Sequence, residues 1–194
     1  MTQKSDQIRA SGDASLRLDD ILRQIKGQKY PPVHLWNPDF CGDIDMRIAR
    51  DGTWYYMGTP IGRKEMVKLF SGILRKDEDG KHYLVTPVEK VGIDVEDAPL
   101  LAVEVMGDGE GEDQILTFRT NVDDLVMAGP DHPIRVETDP ETGEPAPYVH
   151  VRANLEALIN RSVFYELAAM AVERDGYHGI WSGGNFYRLG KTGV

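Results

Sequence analysis

Asp45-Met46-Arg47-Ile48-Ala49-Arg50-Asp51-Gly52-Thr53-Trp54-Tyr55-Tyr56-Met57, running on through Gly58-Thr59-Pro60-Ile61-Gly62-Arg63, decides the fold of this 194-residue chain. Residues 45–50 alternate, Asp51-Gly52 offers the two positive-φ positions of a type I′ turn, and Thr53 to Met57 returns as the second strand of a hairpin. Past Pro60 the apolar positions Met66, Val67, Phe70, Ile73 and Leu74 share one face at helical spacing, which predicts a helix over 62–76. Asp79-Gly80 ends it, and His82-Tyr83-Leu84-Val85 reads as a strand. The same order recurs about ninety residues later. Residues 133–138 turn through a Pro/Gly-rich loop into Tyr148-Val149-His150-Val151. A long helix is expected from Asn154 to about Arg174, and Gly179-Ile180-Trp181 pairs back through Ser182-Gly183-Gly184-Asn185 with Phe186-Tyr187-Arg188-Leu189. The reading is therefore an α+β protein of two related half-domains, whose helices are expected to superpose. The junction between such halves is a preferred place for a ligand cleft.

Outward from this core, the pattern divides the chain into a disordered tail at 1–14, an N-terminal half-domain at 15–97 and a C-terminal half-domain at 98–194. Leu18, Ile21, Leu22 and Ile25 mark a short leading helix. Tyr30 to Pro38 holds three prolines and is expected as an extended strap. Further strands are expected near 82–86, 91–96, 100–106 and 114–120. In the helix expected at 154–174, Asn154 caps, Glu156 sits in the first turn, and only Glu166 is charged between Val163 and Val172. It reads as the most buried element, either the central helix between the halves or a dimer interface, so the oligomeric state stays open.

A net charge of −10 argues against unspecific nucleic-acid binding. One basic patch, Arg63, Lys64, Lys68, Arg75 and Lys76, is expected on the solvent face of the first helix. No stretch is long and apolar enough for a membrane span or a secretory leader, which predicts a cytoplasmic protein. The single cysteine, Cys41, reads as a small buried filler and rules out an internal disulfide.

Catalytic signatures are sparse. The five histidines are scattered singly, and no metal or cofactor site is expected. The acidic glycine loop at 107–113 lacks the glycine and the bidentate glutamate of a calcium loop. No nucleophile elbow or phosphate-binding glycine loop occurs. Asp43 and Asp45, two apart on a strand, form the one acid/base pair, and a small hydrolase-type enzyme using them is the competing reading. Candidate ligand residues are Thr59 and Arg63 at the start of the first helix, Asn160 and Arg161 as a polar interruption of the second, and Trp54 and Tyr55 as aromatic surface. The ligand these fit is a small anionic or polar molecule, with a protein partner as the alternative.

The strings Trp36-Asn37-Pro38, Gly42-Asp43-Ile44-Asp45-Met46, Asp51-Gly52-Thr53-Trp54-Tyr55-Tyr56, Gly58-Thr59-Pro60-Ile61, Leu84-Val85-Thr86-Pro87-Val88-Glu89-Lys90 and Ala157-Leu158-Ile159-Asn160-Arg161 resemble an uncharacterised proteobacterial domain-of-unknown-function family. The resemblance implies a duplicated-domain fold with a C-terminal half superficially like pleckstrin-homology folds. It also implies a binding site at the interface of the halves and a role in signal transduction or regulation. It implies no catalytic residues. Element order within 98–194, read as four strands and then a long helix, agrees with the pleckstrin-like part of that implication.

Overall fold

A computed structural model describes residues 30–193, so the expected tail at 1–14 and the apolar stripe from Leu18 to Ile25 lie outside the described residues. By its contacts the chain divides into two units. One comprises the described residues up to Ile48 together with Trp54–Asp94, and the other comprises Ala49–Thr53 and the chain from Val95 onward.

The first unit is built on β1 (Phe40–Ile48), β2 (Trp54–Tyr56) and β3 (Thr59–Pro60), then α1 (Lys64–Gly72), then β4 (Leu74–Lys76), β5 (His82–Val85) and β6 (Lys90–Val95). The six strands form one sheet in the order β3-β2-β1-β6-β5-β4. Met46 and Ile48 alternate inward on β1 and are fully buried with Trp54, Phe70, Ile73, Leu74, Leu84 and Val91. Side chains of this size each stabilise the fold by roughly 1.5–3 kcal/mol through burial. The β1–β2 loop has a single positive φ, at Gly52, so the expected type I′ turn at Asp51-Gly52 is corrected. Gly52 N donates to Ala49 O and Ala49 N to Thr53 O, while Asp51 Oδ1 accepts from Thr53 N. These bonds close a three-residue loop with glycine in the left-handed position. The paired positive-φ residues sit at Met57 and Gly58 instead, between Tyr56 and Thr59, which face each other in the β2–β3 ladder.

The expected helix at 62–76 ends at Gly72. Ile73 leaves helical geometry, and Leu74, Arg75 and Lys76 pair with Leu84, Tyr83 and His82. Glycine at the last turn lowers the cost of leaving the helix, and Leu74 then buries its side chain in a strand as well as in a helix. Arg75 and Lys76 consequently leave the expected basic helix face. The Arg75 guanidinium holds Asp77 through Nε at 2.5 Å and Nη2 at 3.0 Å, and its Nη1 donates to the carbonyls of Val33 and Trp36. That bond to Arg75 keeps the Asp77 carboxyl below the usual carboxylate range, and it anchors the strap, which contains one 3-10 turn at Val33–Leu35 rather than being extended throughout. Cys41 is half-buried, not the buried filler expected.

His82 on β5 is 8% exposed, and its Nε2 is buried without a hydrogen-bond partner. Burial, with Lys76 as a smaller contributor, pushes its pKa down to about 4. The folded value lies below the unfolded one of about 6.5, so the unfolded chain binds the proton first and stability falls as pH drops from about 6.5 toward 4. Denaturant titration at pH 7.5 and pH 5 is expected to show about 1–2 kcal/mol less stability at pH 5, a difference that shrinks in His82→Gln. An equal pH dependence in both proteins would show that another group carries it.

The second unit begins with β7 (Leu100–Asp108), β8 (Ile115–Thr120), β9 (Leu125–Met127), β10 (Ile134–Thr138), β11 (Pro145–Arg152) and β12 (Leu155–Ile159). Next come α2 (Arg161–Ala169) and the strands β13 (Val172–Arg174), β14 (Tyr177–Ser182) and β15 (Asn185–Lys191). Six strands, not four, therefore precede the helix. They form one mixed sheet ordered β10-β11-β12-β7-β8-β9, in which β12 runs parallel to β7; the last three form a separate sheet. The long helix expected at 154–174 is corrected. Leu155, Ala157 and Ile159 are buried and alternate with half-buried Glu156 and Leu158, so period two prevails and the segment pairs as a strand. What remains helical buries only Val163 and Leu167. Gly183 and Gly184, with φ of 55° and 74°, make the expected tight turn of the final hairpin. Buried Ser182 locks that hairpin to the sheet, donating to Ala128 O at 2.7 Å and accepting from Leu116 N at 2.9 Å.

The internal repeat is visible as topology. Three antiparallel strands, a nine-residue helix and three more strands occur as β1-β2-β3-α1-β4-β5-β6 and again as β10-β11-β12-α2-β13-β14-β15. In the first unit the outer members β1 and β6 pair, and in the second β10 lies against β15. The second copy differs in that β12 has a further partner, β7. The chain is thus an α+β protein of two domains.

Candidate functional site

Where β12 gives way to α2, the second unit has a cavity of about 490 Å³. Asn160 N donates to Ala102 O at 3.0 Å, carrying the ladder toward β7 one bond past the strand, and Asn160 O then accepts the first helical bond from Phe164 N at 2.8 Å. Asn160 is therefore the helix cap by backbone geometry, yet its carboxamide makes no capping bond. The polar pair read in the sequence as an interruption of one helix is the boundary between a strand and a helix.

Arg50 and Asp51 enter from the β1–β2 loop. Asn121 holds this loop by donating from Nδ2 to Gly52 O, while its Oδ1 accepts from Leu101 N at 3.1 Å. A Cβ on Gly52 would meet Asn121 Nδ2 at 2.8 Å, and φ there is 81°, so glycine is required twice over. Glu96 Oε2 accepts from Arg50 N, and Arg50 Nε lies 3.0 Å from Asp97 Oδ2. The other Asp97 oxygen accepts from Tyr148 OH at 2.8 Å. Burial and this bond push the Tyr148 phenol up to about 12. The far wall comes from the β10–β11 loop, where Asp139 Oδ1 accepts from Glu141 N and Thr142 N. Those two bonds lower its carboxyl pKa and hold the loop that delivers Glu144, Pro145 and Pro147 to the cavity. Glu144 Oε1 faces Arg161 Nη2 at 3.4 Å, both side chains being largely exposed. Phe164, Tyr165, Leu158 and Leu101 complete the apolar lining.

The site thus offers two guanidiniums, two carboxylates, a carboxamide and an aromatic wall. It has no arrangement of nucleophile and base, and among the described residues no group of histidine, cysteine and carboxylate side chains is placed to hold a metal. Of the candidate residues, Asn160 and Arg161 line this cavity. The other four belong to the first unit: Thr59 and Arg63 are exposed, Tyr55 lies under the Arg47 guanidinium at 4.4 Å, and Trp54 is a core residue stacked on Phe70. Asp43 and Asp45 are both exposed on β1. Arg50, Glu144 and Tyr165 were not singled out by sequence reasoning. Only the glycine turn beside Arg50 and the Pro-rich approach to β11 hinted at them.

The first part of the chain, residues 31–98, matches the N-terminal domain of DUF1285, and residues 99–189 match its C-terminal domain, both described as of unknown function. The chain belongs to the DUF1285 family. It is similar to the crystal structure of a DUF1285 family protein from Silicibacter pomeroyi DSS-3, at 58% identity and a TM-score of 0.86 over 90% of this chain and 95% of that one. A second DUF1285 family protein, from Shewanella baltica OS155, shares 27% identity at a TM-score of 0.51 over 66% of this chain and 92% of that one. No curated protein matches the chain. Among the described residues of this DUF1285 chain, no helix is long and apolar enough to cross a membrane.

Proposed function

We propose that this DUF1285 protein is a cytoplasmic ligand-binding module serving regulation or signal transduction, and that its ligand is a small polar or anionic molecule held in the cavity beside Asn160 and Arg161. The observation that carries this reading is the cavity itself. An uncommitted carboxamide and an exposed guanidinium converge on apolar and aromatic walls, in a volume of about 490 Å³ that suits a small molecule. The absence of a nucleophile–base pair among the lining side chains favours binding over hydrolysis.

The test is a thermal-shift screen of metabolites and nucleotides, in which a ligand at a hundred times its Kd adds about 2.7 kcal/mol of stability. Arg161→Ala is expected to leave the unliganded protein within about 0.5 kcal/mol of the parent, because the charge is exposed. Asn160→Leu should cost under about 1 kcal/mol, since no side-chain cap is lost. Both should abolish or weaken the shift given by any hit. Hits that persist unchanged in both variants, or a screen without hits, would remove the cavity from consideration.

A further inference from the structure

We infer that the cavity takes a free α-amino acid with a bulky apolar side chain and recognises it as a zwitterion; this rests on the reading of the cavity as a ligand site. The charged side chains on its walls are Arg50 and Arg161 against Asp51 and Glu144, so their formal charges cancel. A multiply charged anion such as a polyphosphate would meet two carboxylates along with the two guanidiniums, so the walls offer it no net attraction. A ligand with one charge of each sign finds an opposite for each.

The two arginines are not equivalent. Arg50 is committed to Asp97 at 3.0 Å, in a loop whose backbone is clamped by Glu96 and Asn121. Arg161 and Glu144 face each other at 3.4 Å, long for a charged hydrogen bond, and both are mostly in solvent. An exposed pair of this kind is held together weakly and opens readily for a competitor. Its opposite charges lie one hydrogen bond apart. The ammonium and carboxylate of an α-amino acid are likewise separated by a single carbon, so the ligand can lie against the pair head to tail, with its carboxylate on the Arg161 guanidinium and its ammonium on Glu144. The planar guanidinium fork then binds both carboxylate oxygens, which its present contact with Glu144 does not achieve.

The apolar walls define the side chain. Tyr165 is 62% exposed, a large aromatic in solvent at the cavity, and Phe164, Pro147 and Leu158 supply further apolar surface. A flat or branched hydrocarbon side chain covers this surface, whereas a small or charged one leaves it wet.

The experiment is calorimetric titration of the intact chain with L-phenylalanine, L-tryptophan and L-leucine, set against N-acetyl-L-phenylalanine, L-phenylalaninamide and adenosine monophosphate. The free amino acids are expected to bind. Each blocked form, lacking one charge, should bind at least about tenfold more weakly, the loss that accompanies one charge-assisted hydrogen bond. Arg161→Gln and Glu144→Gln should each weaken L-phenylalanine by about tenfold to a hundredfold, with melting temperature and circular dichroism unchanged because both side chains are exposed. Equal binding of the N-acetyl form, or binding of adenosine monophosphate alone, would overturn zwitterion recognition while leaving the cavity a ligand site. Amino-acid binding indifferent to both substitutions would place that binding elsewhere and overturn the inference. Silence from all three amino acids would overturn it too, and the wider screen described above would then decide separately whether the cavity binds anything.

Discussion

Asp124→Ala is expected to destabilise the second unit by about 3 kcal/mol, because it deletes the buried carboxylate that holds the mostly buried Arg152 guanidinium. Asp124 is 6% exposed, and its Oδ2 accepts from Arg152 Nη1 at 2.6 Å. Burial lowers the Arg152 pKa, with Asp124 opposing that shift, and the Arg152 side chain is 24% exposed. Asp124 also closes the β8–β9 turn, its backbone N donating to Thr120 Oγ1 and its O accepting from Thr120 N. Those backbone bonds survive the alanine, so the loss reads out the carboxylate and what it holds. Arg152→Met combined with Asp124→Ala should recover part of the stability, since the guanidinium that Asp124 held is removed together with it and the methionine keeps much of the apolar stem. Urea denaturation of the two single variants and the double variant completes a thermodynamic cycle. Single losses that merely add in the double variant would show that the two groups do not stabilise each other.

The ion pair and the cavity share a reason for being hard to see in the sequence. Asp124 and Arg152 come from a turn and a strand end, and the cavity is assembled from Arg50, Glu144 to Pro147 and Asn160 to Tyr165. These segments converge only because β12 pairs in parallel with β7, laying Leu158 beside Leu101, and parallel pairing leaves no local signal. What was legible was local. The strands at His82–Val85, Lys90–Val95, Leu100–Asp108 and Ile115–Thr120 announce themselves by apolar, β-branched and aromatic runs between turn residues. Ser182-Gly183-Gly184-Asn185 specified its hairpin outright, because both glycines take the positive φ that the turn needs.

The misread segments failed for a common physical cause. Leu155, Ala157, Leu158 and Ile159 satisfy a helical face and an alternating strand equally well over one turn and a half, and tertiary pairing with β7 and β11 chose the strand. Asn154 drew attention as a helix cap, while the residue that ends β12 and starts α2 is Asn160, also an asparagine, six positions later. The same ambiguity lengthened the first helix through Ile73 and Leu74. At Asp51-Gly52 the dipeptide correctly signalled a hairpin but not its type, since aspartate can stay at negative φ and let its carboxylate hold the turn through Thr53 N.

Trp54 shows how an aromatic residue can be correctly placed on a strand and still be misassigned by role. Its position next to Tyr55, in the segment leading to the first helix, suggested cleft surface; the structure instead leaves it 1% exposed, with its ring stacked on Phe70 at 6.2 Å and 19°. Trp54→Ala is therefore expected to cost about 3–5 kcal/mol, the range for deleting a fully buried large aromatic, and to lower the melting temperature of the first unit sharply. Trp54→Phe discriminates packing from polarity. The indole Nε1 is buried without a partner, so the fold already bears the cost of an unpaired donor, and phenylalanine removes that donor while keeping a ring on Phe70. The gain partly offsets the smaller ring, and a net loss of no more than about 1.5 kcal/mol is expected, well short of the alanine variant. Equilibrium denaturation followed by circular dichroism measures both. If the phenylalanine variant lost as much as the alanine variant, the indole N–H would have to be engaged in a hydrogen bond, and the core around Trp54 would owe its stability to that bond rather than to stacked apolar surface.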